Sequence, residues 1–314
     1  MNIWVAVVLF VLGIILVMKG GDIFVDAASW IAKAAGIPTF IIGATIVSIA
    51  TTMPELITSV IAAANGQNDM AIGNAVGSVI ANTGLILAMS LIFMSISIVR
   101  KDYIKQCVIL VACSTLLWVG SLSGSLAPWA SVVLLCIFVG FMAMNVVNAK
   151  NQKQEVETNE KIEKKDVSKN ILFFILGAAG IVIGSTFLVE GGTAIADFLK
   201  VPERIVAVTM VAIGTSLPEL VTTITAIRKK ESSLSIGNII GANIIDLSMI
   251  LPICSIVSGQ ALPIEGKCLT VDLPACLAII GIALVPLLVR QKSSKAQGLL
   301  VLGSYLVYLF VTII

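Results

Sequence analysis

Ten long apolar stretches dominate this sequence of 314 residues. Each is long enough for a helix that crosses ~30 Å of hydrocarbon, which takes about 20 residues. Lipid offers no hydrogen-bond partners, so a spanning segment must satisfy its own backbone groups, as an α-helix does. The sequence therefore predicts an all-α integral membrane protein with ten transmembrane helices, at residues 3–32, 38–64, 69–97, 104–122, 127–148, 170–198, 203–227, 234–258, 270–289 and 298–314.

The composition agrees with a lipid environment and excludes several functions. Hydrophobic residues make up 58% of the chain and charged residues 12%, whereas soluble proteins carry about 25% charged residues. The net charge of +2 and the absence of a GxxxxGK[ST] phosphate loop argue against nucleic acids and nucleotides as partners. Histidine is absent, which removes catalysis and zinc binding through imidazole. We therefore expect a protein of the lipid bilayer that is not an enzyme and holds no cofactor.

One hydrophilic segment divides the chain. Residues 150–169 carry eleven of the 38 formal charges within twenty positions. A segment of mixed charge with so few apolar residues cannot support a core, which predicts a solvated linker. The chain therefore falls into a first half at 1–149 and a second half at 170–314, with five of the predicted helices in each.

The distribution of lysine and arginine predicts the orientation in the membrane, because cytoplasmic connections carry an excess of these residues. The connections after the odd-numbered helices hold sixteen of them, including the six lysines of the linker. The connections after the even-numbered helices hold only Lys200, Arg204 and Lys267. We therefore expect a multi-pass protein of the cell membrane with both termini outside and the 150–169 linker in the cytoplasm.

The two halves contain copies of one motif. Shifted by 164 positions without a gap, PTFIIGATIVSIATTMPELITSVIAAA at 38–64 aligns with PERIVAVTMVAIGTSLPELVTTITAIR at 202–228. The same shift aligns IGNAVGSVIAN at 72–82 with IGNIIGANIID at 236–246. Five helices are an odd number, so the second copy must enter the membrane in the opposite sense. Inverted five-helix repeats of this kind are typical of secondary transporters, which bind their substrate near the midplane between the repeats.

One acid lies near the middle of an apolar helix in each half. An ionised side chain at that depth costs at least ~2.5 kcal/mol, and neither helix offers a lysine or arginine at a depth that could pair with Glu55 or Glu219. The compensating charge must therefore be a proton, a mobile cation, or both in alternation. Pro54 and Pro218, one position earlier, cannot donate to the carbonyl four residues back, so each frees a backbone oxygen.

Other oxygen-bearing side chains accompany the two acids. Thr51 and Thr215 precede the glutamates by four positions and so share their helix faces. The second motif adds Ser78 and Asn82 from the first half and Asp246 from the second. Carboxylate, hydroxyl and carbonyl oxygens are hard ligands that suit Na⁺ and Ca²⁺. With three acids the site carries at most −3, which three Na⁺, or one Ca²⁺ and one proton, would neutralise.

These motifs resemble the two alpha repeats of the sodium/calcium exchanger family, part of the calcium/cation antiporter superfamily, in its prokaryotic type. The resemblance is carried by GTSLPEL at 214–220, ATTMPEL at 50–56 and the GN-x-x-G segments, and it occurs twice in the correct order. It implies exchange of Na⁺ for Ca²⁺ by alternating access at four adjacent pockets, with Glu55 and Glu219 as the central ligands. By position, it also implies hydroxyl, amide, carboxylate or backbone carbonyl ligands at Thr51, Thr215, Thr52, Ser216, Ser48, Ala212, Ser78, Asn82 and Asp246.

The chain departs from the family's usual pattern at several positions. Ala50 stands in place of a common glycine and Thr52 in place of a common serine. Val79 replaces a frequent asparagine, and Ala242 replaces a serine that the resemblance assigns to Na⁺ binding. By the same resemblance, Glu219 disfavours the potassium-dependent branch, which carries aspartate at that position.

Two other transport mechanisms stay open at this point. Glutamates carry protons as readily as they bind Na⁺, so a cation/H⁺ antiporter, for Ca²⁺ or another divalent ion, is the main alternative. A passive cation channel is a further alternative from a different functional class. Uptake that follows a pH gradient would indicate the first, and uptake without any counter-ion would indicate the second.

Overall fold

The structure of the protein, a computed structural model, describes residues 2–94, 96–151, 164–200, 214, 216–264 and 266–313. Helices make up most of this part of the chain, so the predicted all-α fold is confirmed. In chain order the helices are α1 (Ile3–Ala35), α2 (Thr39–Thr51), α3 (Met53–Ala64), α4 (Asn68–Phe93), α5 (Arg100–Gly120), α6 (Pro128–Asn151), α7 (Lys164–Phe198), α8 (Leu217–Lys229), α9 (Ser232–Ser258), α10 (Cys268–Arg290) and α11 (Lys295–Ile313).

The number of membrane spans agrees with the prediction as far as the structure describes the chain. Within the ranges given above, eight helices are long and apolar enough to cross a membrane, and α2 with α3 forms a ninth, bent span. The remaining predicted span, at 203–227, corresponds to α8 in its second half, whereas residues 203–213 lie outside the described residues. The count of ten therefore stays a prediction.

Helices α4 and α9 form the centre of the molecule. In the most apolar stretch of 18 residues, 72% of the residues are buried in α4 and 78% in α9, whereas only 22% are buried in α1 and in α7. Helix α9 packs against α2, and α4 packs against α3. The second sequence motif lies on α4 and α9, so its polar residues are surrounded by protein rather than by lipid.

The long helices α1 and α7 pack closely on one another. A Cβ atom added to Gly20 would lie 2.9 Å from the backbone nitrogen of Ile181, and one added to Gly177 would lie 2.7 Å from that of Phe24. Real Cβ atoms do not approach so closely, so these positions accept only glycine without a shift of the backbone. Small residues at such contacts let membrane helices associate through backbone packing.

The internal repeat of the sequence is also a repeat of helix bounds. The regular part of α4, Asn68–Ala81, and that of α9, Ser232–Ile245, are 164 positions apart at both ends. Helices α3 and α8 begin at residues with the same separation, Met53 and Leu217. The opposite orientation of the two halves, and their limits at 149 and 170, stay predictions.

Helix extends into both ends of the predicted linker 150–169. Helix α6 continues to Asn151 and α7 begins at Lys164, while residues 152–163 lie outside the described residues. Lysine and glutamate favour helix when no packing decides the conformation, which explains how charged residues extend an apolar helix into water.

Candidate cation-binding site

The predicted second span is broken in the structure. Helices α2 and α3 meet at Thr52 with a bend of 46°. Pro54 explains the break, because it has no N–H to donate to the carbonyl of Ala50 and its ring crowds the preceding turn. Helix α8 begins in the same way, with Pro218 in its first turn. The span predicted at 38–64 is therefore bent at Thr52, where two shorter helices have termini inside the protein.

Each glutamate lies in the first turn of the helix that follows the proline break. Glu55 is in the first turn of α3 and Glu219 is in the first turn of α8. The N-terminal turn of a helix has N–H groups without intrahelical partners and a partial positive charge, which stabilises a carboxylate. The sequence interpretation treated the prolines as a source of free carbonyls and missed this second effect.

Three acids are the only charged side chains that are fully buried in the described part of the chain. Glu55 is 1% exposed, and Glu219 and Asp246 are 0% exposed. Glu55 is close enough to both other acids for their charges to repel, and Asp246 interacts in the same way with Glu219. Since no described lysine or arginine is buried with them, a cation or a proton must relieve this repulsion.

The oxygen atoms of these acids have few hydrogen-bond donors. Among the described residues, neither oxygen of Glu55 nor either oxygen of Asp246 has a partner, and Glu219 has one at Oε1 only. Buried acceptors in folded proteins are nearly always paired. The arrangement leaves five carboxylate oxygens that can bind a cation.

Hydroxyl groups connect the two halves of the site. Thr52 Oγ1 donates to Glu219 Oε1 over 3.2 Å. Ser216 follows Thr52 by 164 positions, and its hydroxyl interacts with Glu55 although the pair does not reach hydrogen-bond geometry. Each half thus presents a hydroxyl to the acid of the other half.

The other predicted ligands that the structure describes are also buried. At most 2% of the surface is exposed at Ser48, Thr51, Ser78 and Asn82. Ser48 Oγ donates to the carbonyl of Thr45 over 3.0 Å, so this hydroxyl is engaged within α2. Asn82 Oδ1 is a buried acceptor without a donor in the described ranges. The predicted ligands Ala212 and Thr215 lie outside the described residues.

Two irregular turns begin at equivalent polar residues. In α4 a π-helical turn runs over Asn82–Leu87, and in α9 one runs over Asp246–Ile250. Such turns are rare and occur mostly at functional sites, because the extra residue re-aims side chains and weakens the regular backbone bonding. The sequence analysis did not predict these turns.

Two asparagines of the GN-x-x-G segments hold the site helices together and were not among the predicted site residues. Asn74 Nδ2 donates to the backbone carbonyl of Glu55 over 3.3 Å and to Ser59 Oγ over 2.9 Å. Asn238 Oδ1 accepts a hydrogen bond from Thr51 Oγ1 over 3.1 Å. Their separation of 164 positions, inside a repeated motif, was the signal that could have identified them.

Glycines bring α9 against the ligand-bearing end of α2. A Cβ atom added to Gly241 would lie 2.6 Å from the carbonyl oxygen of Ala44 and from Ser48 Oγ. One added to Gly43 would lie 2.6 Å from the carbonyl oxygen of Leu234. Small residues at these positions therefore allow α2 and α9 to pack closely.

A cavity of about 280 Å³ borders both prolines of the site. It lies between α7 and the first turns of α3 and α8, and its wall includes Thr58, Ser185 and Glu190. The cavity therefore lies next to the two helix starts that carry the buried glutamates.

Comparison with known proteins identifies the family of this chain. The family described as sodium/calcium exchanger protein matches residues 5–147 and 169–314. An uncharacterized membrane protein of Methanocaldococcus jannaschii is 33% identical over 95% of both chains. The sodium/calcium exchanger MaX1 of Methanosarcina acetivorans is 28% identical over 96% of this chain and 97% of its own.

The solved structures agree in fold. Structures of the sodium-calcium exchanger NCX_Mj superpose with a TM-score of 0.87 after a soak without Na⁺ and Ca²⁺, at 29% identity and 99% coverage of both chains. After a soak with 10 mM Na⁺ and 10 mM Sr²⁺ the TM-score is 0.86, at 30% identity and 98% coverage of both chains. Since the family pattern covers nearly the whole sequence on both sides of the linker, the chain belongs to the sodium/calcium exchanger protein family.

Proposed function

We propose that this protein is a secondary active antiporter that exchanges Na⁺ for Ca²⁺ at a site built around Glu55 and Glu219. The observation that carries the proposal is the cluster of these two acids with Asp246, fully buried and with most of their oxygens lacking donors in the described part of the chain. The names of the relatives, a sodium/calcium exchanger among them, support the same pair of ions.

The chemistry of the donor set favours these ions. Every predicted ligand offers an oxygen atom from a carboxylate, hydroxyl, amide or backbone carbonyl, and none offers sulfur or imidazole. Na⁺ and Ca²⁺ are hard cations that bind such oxygens, whereas softer metals prefer thiolate or imidazole. We assign this role to Glu55, Glu219, Thr51, Thr215, Thr52, Ser216, Ser48, Ala212, Ser78, Asn82 and Asp246.

Exchange follows from the charge of the site. Three Na⁺, or one Ca²⁺ and one proton, both neutralise three buried acids, and both loads use the same carboxylates. The two loads therefore exclude one another. Without either load, and unless protons replace it, three uncompensated charges would remain inside the membrane, each costing at least ~2.5 kcal/mol. The cost opposes a conformational change of the unloaded protein, so one ion crosses only in exchange for the other.

Alternating access needs two arrangements of the helices around a fixed site. Proline-broken helices from two inverted repeats meet at the midplane in transporters of this class, and one bundle moves against the other. The bent pair α2 and α3, and α8 with its proline at the start, are the elements that we expect to move. In the cell membrane we propose both termini outside and the 150–169 linker in the cytoplasm, from the bias of lysine and arginine.

Ion flux into liposomes tests this function. The purified protein, reconstituted in Na⁺-loaded liposomes, should take up Ca²⁺ after dilution into Na⁺-free medium, and uptake should stop when the Na⁺ gradient is removed. Gradients of K⁺ and pH, imposed separately, should not replace the Na⁺ gradient. Uptake driven by a pH gradient and indifferent to Na⁺ would indicate cation/H⁺ antiport. Uptake down the Ca²⁺ gradient with no counter-ion would indicate a channel, and either result would reject the proposal.

A further inference from the structure

A second cavity, of about 500 Å³, lies apart from the acids and is lined by none of the predicted ion ligands. We call it the α1–α2–α6 groove. Its wall comes from the end of α1, the first half of α2 and the last third of α6. Most lining residues are apolar, among them Ala34, Ile41, Ile46, Met142 and Val146.

The polar side chains in the wall of the groove satisfy their hydrogen bonds within the protein. Thr45 Oγ1 donates to the carbonyl of Ile41 over 2.7 Å. Asn145 Nδ2 donates to the carbonyl of Phe141 over 2.9 Å, and its Oδ1 accepts from Gln106 Nε2 over 3.3 Å. The wall therefore presents hydrocarbon rather than hydrogen-bonding groups, and an alkyl chain is the ligand that such a wall removes from water most favourably.

Positive charge lies at one end of the groove. Lys150, in the last turn of α6, contributes to the lining and is exposed. Lys33, in the last turn of α1, is also exposed and directly precedes the lining residue Ala34. Lysines at the ends of membrane helices reach the level of the lipid head groups, where they attract anionic phosphate.

A polar cavity of about 300 Å³ shares Ile41 with the groove. Its wall includes Gln106, whose Oε1 is buried without a donor among the described residues. The orientation of this amide is fixed, because Asn145 uses its own Nδ2 on a backbone carbonyl and so must accept from Gln106 Nε2. Asp102 adds a carboxylate to the same wall. Asp102 therefore offers the cavity an acceptor for a ligand that carries hydroxyl groups.

The segment that follows Lys150 has the wrong chemistry to occupy the groove. Between residues 152 and 163 only Val156 and Ile162 are apolar, and the other ten positions are polar or charged. Charged side chains are not buried in a hydrocarbon wall without partners. A separate apolar molecule is the better match, and in a membrane the abundant one is phospholipid.

We propose that the α1–α2–α6 groove binds one phospholipid with an anionic, hydroxyl-bearing head group. An acyl chain lies along the apolar wall, the phosphate lies beside Lys150, and the head-group hydroxyls donate to Asp102. The occupant contacts both α1 and α2. Since α2 ends in the ligand-bearing residues at Ser48 and Thr51, the bound lipid would favour one arrangement of α2 against α1 and so affect the exchange rate.

Two adjacent valines allow a matched test by native mass spectrometry in detergent. Val146 lines the groove and Val147 does not, and both are 52% exposed. With added phosphatidylglycerol, the wild type and the Val147→Trp variant should each retain one tightly bound lipid, and the Val146→Trp variant should lose at least about nine-tenths of it. Equal retention by the two tryptophan variants would overturn the proposal.

The head group is tested with phosphatidylcholine and with Lys150→Gln, an exposed position whose change should not disturb folding. The wild type should retain phosphatidylglycerol at least about tenfold more strongly than phosphatidylcholine, a difference of ~1.4 kcal/mol. Lys150→Gln should remove most of this preference, whereas Lys101→Gln, an exposed lysine outside the groove, should keep it. Equal retention of both lipids by the wild type, or an unchanged preference in Lys150→Gln, would contradict the proposal.

Discussion

The two halves of the site share a framework and differ in charge. In each half an acid follows a proline in the first turn of a helix, and a π-helical turn begins at the equivalent polar position of the next helix. That position is Asn82 in the first half and Asp246 in the second. Duplication therefore explains the geometry of the backbone, whereas single substitutions place two of the three negative charges in the second half.

The hydrogen bonds around the acids differ in the same way. Glu219 receives a hydrogen bond from Thr52, whereas the equivalent contact between Ser216 and Glu55 is looser. Ser78 carries a hydroxyl where the second half has Ala242. A cation near Glu219 and Asp246 thus lies beside two negative charges, whereas one near Glu55 lies beside one negative charge and more neutral oxygens. We therefore expect Ca²⁺ binding to depend more on the second half.

A third difference lies where α1 and α7 meet the rest of the bundle. Asp26 on α1 forms an ion pair with Lys229 on α8, with an O–N distance of 2.5 Å. The positions 164 residues away from these two are Glu190 and Asn65, which cannot form an ion pair. The ion pair at one end of the α1–α7 pair therefore has no counterpart at the equivalent positions of the other half.

The largest predicted effect removes the feature that both halves share. Glu55→Gln and Glu219→Gln should each reduce Na⁺-dependent Ca²⁺ uptake about 100-fold or more, ~3 kcal/mol, because each removes a buried charge that faces the ions. Glu231→Gln, the same change between α8 and α9, is the matched control and should exchange normally. Circular dichroism of the purified variants checks that they are folded. Near-normal uptake by either site variant would remove the basis of the proposed function.

A smaller effect should follow when the halves are made alike in charge. Asp246→Asn gives both halves an amide and lowers the site charge from −3 to −2. We expect the Ca²⁺ concentration for half-maximal uptake to rise about tenfold, a difference of ~1.4 kcal/mol. Na⁺-coupled exchange should be retained, because Asn82 shows that an amide is accepted at the equivalent position. Initial uptake rates at varied Ca²⁺ measure the change. Complete loss of both Na⁺ and Ca²⁺ binding would show that the two halves are less equivalent than their backbones suggest.

Restoring a hydroxyl to the second half should change Na⁺ dependence more modestly. Ala242→Ser supplies the group that Ser78 supplies in the first half, and one added ligand oxygen is worth about 1 kcal/mol, or about fivefold. The Na⁺ concentration for half-maximal exchange should therefore fall in Ala242→Ser and rise in Ser78→Ala. A rise of this concentration in Ala242→Ser, or a fall in Ser78→Ala, would contradict the assignment of these positions to Na⁺.

The smallest effect concerns the ion pair at the end of α1. Asp26 is 71% exposed in its side chain, so solvent screens the pair and its contribution to stability is at most about 1 kcal/mol. Asp26→Asn should lower the melting temperature by no more than about 3 °C, and Glu190→Gln, at the equivalent position, should leave it unchanged. The same melting temperature in high salt for the wild type and Asp26→Asn would be consistent with screening. A larger loss of Na⁺-dependent Ca²⁺ uptake in Asp26→Asn than in Glu55→Gln would overturn this order of effects.

Much of the fold was accessible from the sequence because it depends on linear properties. Hydropathy gives the spans, and proline beside a buried glutamate, repeated after 164 positions, identifies the two elements of the site. The span predicted at 38–64 is bent by 46° in the structure, and Pro54 shows where hydrogen bonding fails but not how far the chain bends. The bend depends on the helices packed around it.

The sequence by itself determined the class of the protein, the duplicated motif and the buried acids Glu55, Glu219 and Asp246. An acid inside an apolar helix is costly whichever helices pack around it, so it can be recognised without knowledge of its neighbours. Only the tertiary structure decided which groups meet. The contact of Thr52 with Glu219 joins residues 167 positions apart, and that of Thr51 with Asn238 joins residues 187 apart. The second contact depends on the close crossing of α2 with α9 at glycine. The distance between two helices cannot be read from a local sequence pattern.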